Sequence, residues 1–271
     1  MNLKETLKML RVKEWIKFFT PIPLIGAILE HATPFALILI GVIFFCVIGY
    51  GFVINNYFDV EIDKRNTKKV RMGKNPLSAG KVTKKETLVL MSVLLVIPIA
   101  LSCFLTLTGV LFTMLSILFL TLYSVEYIRL KERFIVDIIT HGLMFGLFPF
   151  LAGFTLAGDD LNMRTLLIAS LFMIIGSESL LTHQINDYGE DFGNSSTTVV
   201  RVGQKRGWAL LIFFVLLSMV NLELIAHCSD IGMMLHGGAF AYLIAYPIYT
   251  CRGEIKDVIN NYSCAGDSRI L

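Results

Sequence analysis

Asn55, Asp59 and Asp63 stand four residues apart in NNYFDVEID, and Asp187 and Asp191 repeat that step in NDYGED. A step of four on an α-helix turns about 400°, so the first three residues share a stripe roughly 80° wide and about 12 Å long. Each motif closes a long apolar segment, and five oxygen-bearing side chains can therefore converge from two helix ends. Carboxylate and amide oxygens are hard ligands suited to Mg²⁺, which keeps positions open for water and for a substrate's phosphate oxygens. The substrate implied is a diphosphate. A single aspartate at a membrane border is as readily a solvated helix end. Five aligned ligands are harder to explain that way, because clustered carboxylates repel one another unless a cation joins them. Charge at membrane depth also costs about 2.5 to 3.5 kcal/mol per residue.

The elements that must position these groups are membrane helices. The chain of 271 residues is 55% hydrophobic and 17% charged, with a mean hydropathy of +0.69, a balance that excludes an ordinary soluble domain. Eight apolar runs approach the ~20 residues needed to cross about 30 Å of hydrocarbon. They cover residues 15–31, 34–56, 86–107, 108–124, 135–157, 164–186, 208–227 and 231–250. The expected fold is all-α, a polytopic helix bundle forming one domain over residues 1–271, with a polar tail over about 252–271. Within 86–124 only Thr106, Thr108 and Gly109 offer a break.

Charge sets an orientation. With a cytoplasmic N-terminus and eight spans, every one of the 24 Lys and Arg residues except Arg164 falls on the cytoplasmic side, as the positive-inside bias requires. Both termini and both acidic motifs then lie on that side. The net charge of +3 follows from this topology, and no nucleic-acid partner is needed to explain it. The start MNLKETLKMLRVKEWIKFF reads as an amphipathic entry helix, not as a signal peptide. Cys46, Cys103, Cys228, Cys251 and Cys264 show no spacing that suggests zinc or a disulfide framework. A helix ending in an acidic motif followed by a polar loop occurs twice. When Asp59 is set on Asp187, His183 stands opposite Asn55, a weak internal repeat of the kind that places a site between two halves.

Three further groups bear on the site. The loop DKRNTKKVRMGKNPLSAGKVTKKE begins within a turn of the first carboxylates. Most of its lysines need only anionic lipid, but a diphosphate requires cations, and Arg71 and Lys74 are the candidates. In LYSVEYIRLKER, Tyr123, Tyr127 and Lys131 follow at four-residue steps with Arg129 beside them. That pattern fits an interfacial aromatic belt equally well. At the level of the acidic motifs, Lys131 could bind phosphate and the Tyr rings could face a developing cation. Of the polar groups inside the spans, Asp137 and His141 are expected to pair with each other. Glu178 is expected to line a polar cavity or to hydrogen-bond Ser177 or Ser179.

These residues resemble the UbiA superfamily of intramembrane prenyltransferases. The resemblance rests on NxxxDxxxD at Asn55, Asp59 and Asp63, the following NPLSAG, YSVEYIRLK, and DYGED with the later TTVVRVG. It implies two Mg²⁺ ions held by the two motifs, binding a prenyl diphosphate whose tail lies in a lipid-open tunnel, and a lipophilic aromatic or lipid acceptor. Members commonly have nine spans, whereas RGEIKDVINNYSCAGDSRIL is too polar to supply a ninth. Asn75 stands where a basic residue often precedes the proline, and His183 where a further oxygen ligand would be sought. The expected reaction is ionisation of the prenyl diphosphate and transfer of its prenyl group. A cyclase using the same metal site without an acceptor is the nearer alternative. A transporter is the remoter one, since its ion path would place charge near mid-bilayer.

Cysteine labelling in intact cells tests this topology. Positions in the 64–85 and 192–206 loops should be protected from an impermeant reagent, and positions near Gly158 should react. Labelling of the first two loops from outside would remove the argument that both motifs share the cytoplasmic side.

Overall fold

Polar caps cut the apolar sequence into helices. Thr33 Oγ1 accepts from Ala36 N at 3.2 Å, Thr106 Oγ1 from Gly109 N at 3.1 Å, and Asn162 Oδ1 from Thr165 N at 3.0 Å. Thr83 and Glu86 form a reciprocal capping box. Each side chain satisfies a backbone donor that would otherwise be orphaned at a helix start. The computed structural model describes residues 3–65, 73, 75–158, 161–229 and 232–256. Arg71 and Lys74, two of the cations singled out in the sequence, lie outside those residues.

The helices are α1 (Leu3–Lys8), α2 (Val12–Trp15), α3 (Pro21–Leu29), α4 (Pro34–Phe58), α5 (Val60–Arg65), α6 (Lys84–Ser102) and α7 (Leu107–Ser124). There follow α8 (Val136–Ala157), α9 (Met163–Asn186), α10 (Tyr188–Asp191), α11 (Thr198–Val202), α12 (Gln204–His227) and α13 (Met233–Thr250). No strand occurs among the described residues, as an all-α bundle requires.

Six of these helices, α4, α6, α7, α8, α9 and α12, are long and apolar enough to cross a membrane. The sequence suggested eight. The first expected span is interrupted by a turn before Pro21, and α3, with nine residues, rises only about 14 Å. The last, α13, has 18 residues, but His236, Gly237, Gly238 and its tyrosines dilute its hydropathy. The break expected near Thr106 is present, with α6 ending at Ser102 and Thr106 capping α7.

The largest core cluster surrounds α4, where Ile40, Ile43, Phe44, Val47, Ile48 and Val53 are buried. The N-terminal segment closes this cluster at one end. Trp15 is buried there and its Nε1 donates to Leu10 O at 2.6 Å. By contrast Val89, Val93 and Val96 on α6 and Ile212, Phe213 and Leu216 on α12 are exposed, as faces turned to hydrocarbon would be.

Between helices the close contacts are made by glycine, because lipid tails supply no hydrophobic drive between apolar helices and tight backbone approach must replace it. A Cβ added at Gly146 of α8 would lie 2.1 Å from Phe172 O of α9, and one at Gly142 would lie 2.3 Å from Met173 O. Toward its other end α8 meets α3, where a Cβ at Gly153 would lie 1.9 Å from Pro23 O. A π turn, Leu143–Leu147, begins after Gly142, includes Gly146 and ends before Gly153. Such turns are frequent at functional sites.

Gly146→Leu should therefore force α8 and α9 apart and destabilise the protein by about 1 to 3 kcal/mol or more. A clear fall in the detergent melting temperature is the expected readout. An unchanged melting temperature would contradict this packing.

Candidate active site

The two acidic motifs have the same skeleton. α4 ends at Phe58, with Asp59 as its C-cap at φ −89° and ψ 3°. α9 ends at Asn186, with Asp187 as its C-cap at φ −91° and ψ 3°. Helical hydrogen bonds run through both junctions. Asp59 N donates to Asn55 O at 3.0 Å and Asp63 N to Asp59 O at 2.8 Å; Asp187 N donates to His183 O and Asp191 N to Asp187 O, each at 2.9 Å. The internal repeat read from sequence is thus present in the backbone, and the four-residue ladder survives the change of helix at each aspartate.

The side chains meet around two adjoining cavities. One, of about 600 Å³, is lined by Asn55, Asp59, Asp63, Tyr123, Lys131 and Asp187 among others. The second, of about 590 Å³, shares Asp59, Asp63, Tyr123 and Lys131 with it and adds Arg129 and Asp191. Residues of both motifs therefore line shared space. The first cavity is also lined by Phe18, Phe19, Phe52, Met144 and Phe145. Phe19 and Phe145 stack with centroids 4.3 Å apart.

Cations from the loop between α7 and α8 neutralise the first motif. Lys131 Nζ donates to Asn55 Oδ1 at 2.7 Å and to Asp59 Oδ2 at 2.5 Å. Arg129 donates to Asp59 Oδ1 at 3.1 Å and also pairs with Glu132 at 2.7 Å. Both cationic side chains are largely buried, at 15% exposure or less. Burial pushes the Lys131 ammonium below the usual lysine range, while the Asp59 carboxylate beside it pulls the other way.

The sequence reading grouped Tyr123, Tyr127 and Lys131 at the level of the acidic motifs, and the structure separates Tyr127 from the other two. α7 stops at Ser124, Arg129 takes a left-handed conformation, and Leu130–Glu132 forms a single 3₁₀ turn. Lys131 reaches the motif by chain reversal. Tyr123 lines both cavities, whereas Tyr127 is 93% exposed and lines neither.

Two further expectations are corrected. Asp137 and His141 turn to different partners: Asp137 accepts from Gln184 and Thr198, and the His141 ring bonds Gly176 O through Nδ1 at 2.8 Å. Glu178 lines neither cavity. It is buried beside Ser218 of α12.

Sequence reasoning noted Asn75 only as a departure from a family pattern. In the structure it is buried, its Nδ2 donates to Asp63 Oδ2 and to Asn56 O at 2.8 Å each, and its Oδ1 accepts from Leu77 N at 3.1 Å. The local signal was the Asn-Pro pair, since an Asn side chain commonly bonds the backbone two residues on. Phe19, Phe145 and His141 carried no local signal for their place in the cavity wall.

Among the described residues no three His, Cys, Asp or Glu side chains form a ready metal cluster. The donors nonetheless fit Mg²⁺: they are carboxylate and amide oxygens from two helix ends around shared space. Mg²⁺ normally takes only one or two protein carboxylates and completes its shell with water and substrate phosphate.

Comparison with known proteins follows the same line. The pattern of the UbiA prenyltransferase family matches residues 21–258. A digeranylgeranylglyceryl phosphate synthase of Methanocaldococcus jannaschii is 29% identical over 180 residues, 66% of this chain and 58% of that protein. One of Sulfurisphaera tokodaii is 27% identical over 176 residues, 65% of this chain and 60% of that protein. The chain thus aligns with about three fifths of these relatives' length. A UbiA homologue of Archaeoglobus fulgidus, solved with GPP and Mg²⁺, superposes with a TM-score of 0.79 at 18% identity, covering 90% of this chain and 86% of that one. With the family pattern spanning most of its length, the chain belongs to the UbiA prenyltransferase family.

Proposed function

We propose that this protein is a Mg²⁺-dependent intramembrane prenyltransferase that transfers the prenyl group of a prenyl diphosphate to a lipophilic acceptor. The observation that carries this reading is the meeting of two acidic helix ends and two buried cations around cavities that continue into an aromatic wall. The Archaeoglobus homologue bound to GPP and Mg²⁺ supports it. The site is proposed to face the cytoplasm, where the basic loops collect.

Asp59, Asp63, Asp187 and Asp191, with the Asn55 carboxamide, would hold the metal, which is proposed to be a pair of ions. When bound, Mg²⁺ supplies charge neutralisation to a departing diphosphate. The protein's own groups do the remainder. Lys131 and Arg129, which balance Asp59 in the structure described, provide positive charge toward phosphate oxygens at the same wall. Arg71 and Lys74 are proposed to add to this charge. As the C1–O bond breaks, its electron pair leaves with the diphosphate, and the allylic cation is faced by Tyr123, Phe19 and Phe145. The apolar wall excludes water that would otherwise capture this cation. The acceptor's nucleophile then bonds to C1, and the proton it carried is lost to the released diphosphate. Two relatives are named for digeranylgeranylglyceryl phosphate, which puts a prenylated glyceryl phosphate first among acceptors to assay.

Purified protein in detergent, given prenyl diphosphates of several lengths and a panel of acceptors, should form a prenylated product with Mg²⁺ and none with EDTA. Full turnover in chelator would end the metal reading, and a cyclised product formed without acceptor would replace transfer by cyclisation. Asp59→Ala, Asp63→Ala, Asp187→Ala and Asp191→Ala should each lower the rate at least ~100-fold, about 2.7 kcal/mol of transition-state stabilisation. Melting should stay near wild type for Asp187→Ala and Asp191→Ala, whereas Asp59→Ala, which leaves the buried Lys131 and Arg129 without their carboxylate, should melt lower. Lys131→Met should raise KM for the prenyl diphosphate at least ~10-fold. Glu61→Ala, whose side chain is exposed and paired with Lys64, should stay active; a loss as deep as that of Asp59→Ala would contradict the ladder geometry.

A further inference from the structure

The loop that brings Lys131 and Arg129 to the first motif is fastened at its far end to the segment that follows the second. Ile135, the last residue before α8, has φ 63°. A β-branched residue is a genuine outlier there, and such conformations cost about 1 to 3 kcal/mol and persist only where the surroundings over-determine them. The surroundings here are specific. Ile135 N donates to Thr198 Oγ1 at 2.7 Å, and the same hydroxyl donates to Asp137 Oδ1. Thr198 N and Gln184 Nε2 each donate to Asp137 Oδ2 at 2.8 Å, and Gln184 Oε1 accepts from Val199 N at 3.1 Å. Asp137 and Thr198 are fully buried. A second tie joins the two loops nearer the surface, where Arg201 donates to Glu132 O at 2.8 Å.

Thr198 is thus the point at which three elements are joined: the cation loop, the start of α8, and the chain that leaves Asp191. Its hydroxyl accepts from one and donates to another, which no apolar residue of the same shape can do. Only Glu132, Arg133 and Phe134 separate Lys131 from Ile135, so a shift at this exit passes directly to the ammonium. In a site that must match a diphosphate, a misplacement of about 1 Å can cost ~100-fold.

We propose that Thr198, with Arg201 as a second tie, is a positioning residue for the diphosphate subsite: it fixes Lys131 and Arg129 and couples their loop to the second acidic motif. This inference rests on the reading of the site as a prenyl diphosphate site. A purely structural role would lower stability without selecting the cation loop, and the test is built on that difference.

The full-length protein in detergent is compared as wild type, Thr198→Val, Thr198→Ser, Lys131→Met and the Thr198→Val/Lys131→Met double variant. Binding of the unreactive geranyl thiolodiphosphate is measured with Mg²⁺, and amide exchange is followed over residues 128–134. Thr198→Val should weaken binding at least ~10-fold and speed exchange in that segment, and Thr198→Ser should restore both. In the Lys131→Met background Thr198→Val should cost less than it does alone, only what it takes from Arg129, because its effect on Lys131 is already spent. Independent, multiplying losses would overturn the proposal, as would wild-type binding and exchange in Thr198→Val. Should Thr198→Val fail to fold, Arg201→Ala is read in the same way, and unchanged exchange over 128–134 would overturn the coupling. If wild type itself does not bind the analogue, the prenyl diphosphate reading fails; the exchange comparison still decides whether the latch exists.

Discussion

The contact between Lys131 and the pair Asn55 and Asp59 is the constraint around which the rest of the site is arranged. Carboxylates concentrated at a helix end and shielded from bulk water repel one another unless positive charge is brought to them. In this protein that charge arrives on a loop between α7 and α8, far away in sequence. The loop can reach Asp59 only because α7 stops at Ser124, Arg129 turns left-handed and a single 3₁₀ turn delivers the ammonium. An ion pair of this kind is weak evidence for stability, since desolvating its members offsets much of their attraction. Its value is as a preset arrangement of charge that an arriving diphosphate and its cation can exchange.

Local periodicity made the acidic ladders legible. Asn55, Asp59 and Asp63 are four apart, and the hydrogen bonds through Asp59 confirm that they stand one above the other although α4 formally ends there. The break at Thr106 was legible for a similar reason, because a side-chain oxygen satisfying the next turn is a short-range event. The same arithmetic failed for Tyr123, Tyr127 and Lys131, where equal spacing carried no helix beneath it. It failed again for Asp137 and His141. Four residues apart on one helix they could have met, but Thr198 and Gln184 offered Asp137 better donors from elements distant in sequence.

Hydropathy was a good guide to the existence of helices and a poorer one to their reach. The run 15–31 is mostly apolar, yet Pro21 and Pro23 permit only a short α3, which owes its place to glycine contacts with α8. Asn75 shows a different limit. Its sequence neighbourhood announced a turn, but nothing nearby could announce that its amide would steady Asp63, because that contact depends on how the loop returns to α4.

The π turn in α8 has a consequence for how the two halves of the bundle are joined. On an unbroken α-helix Gly142, Gly146 and Gly153 would lie within about 40° of one another around the axis, in phase and facing one side. Here the first two meet α9 and the third meets α3. The extra residue in the turn acts as a phase shifter, allowing one rod to mesh with a different neighbour at each end. Alignment of the halves then depends on residue number along Leu143–Leu147 as well as on the glycine at position 146. Evolution can vary the apolar side chains in that turn with little effect on alignment, whereas a one-residue insertion or deletion would rotate one half against the other and take the two acidic helix ends out of step.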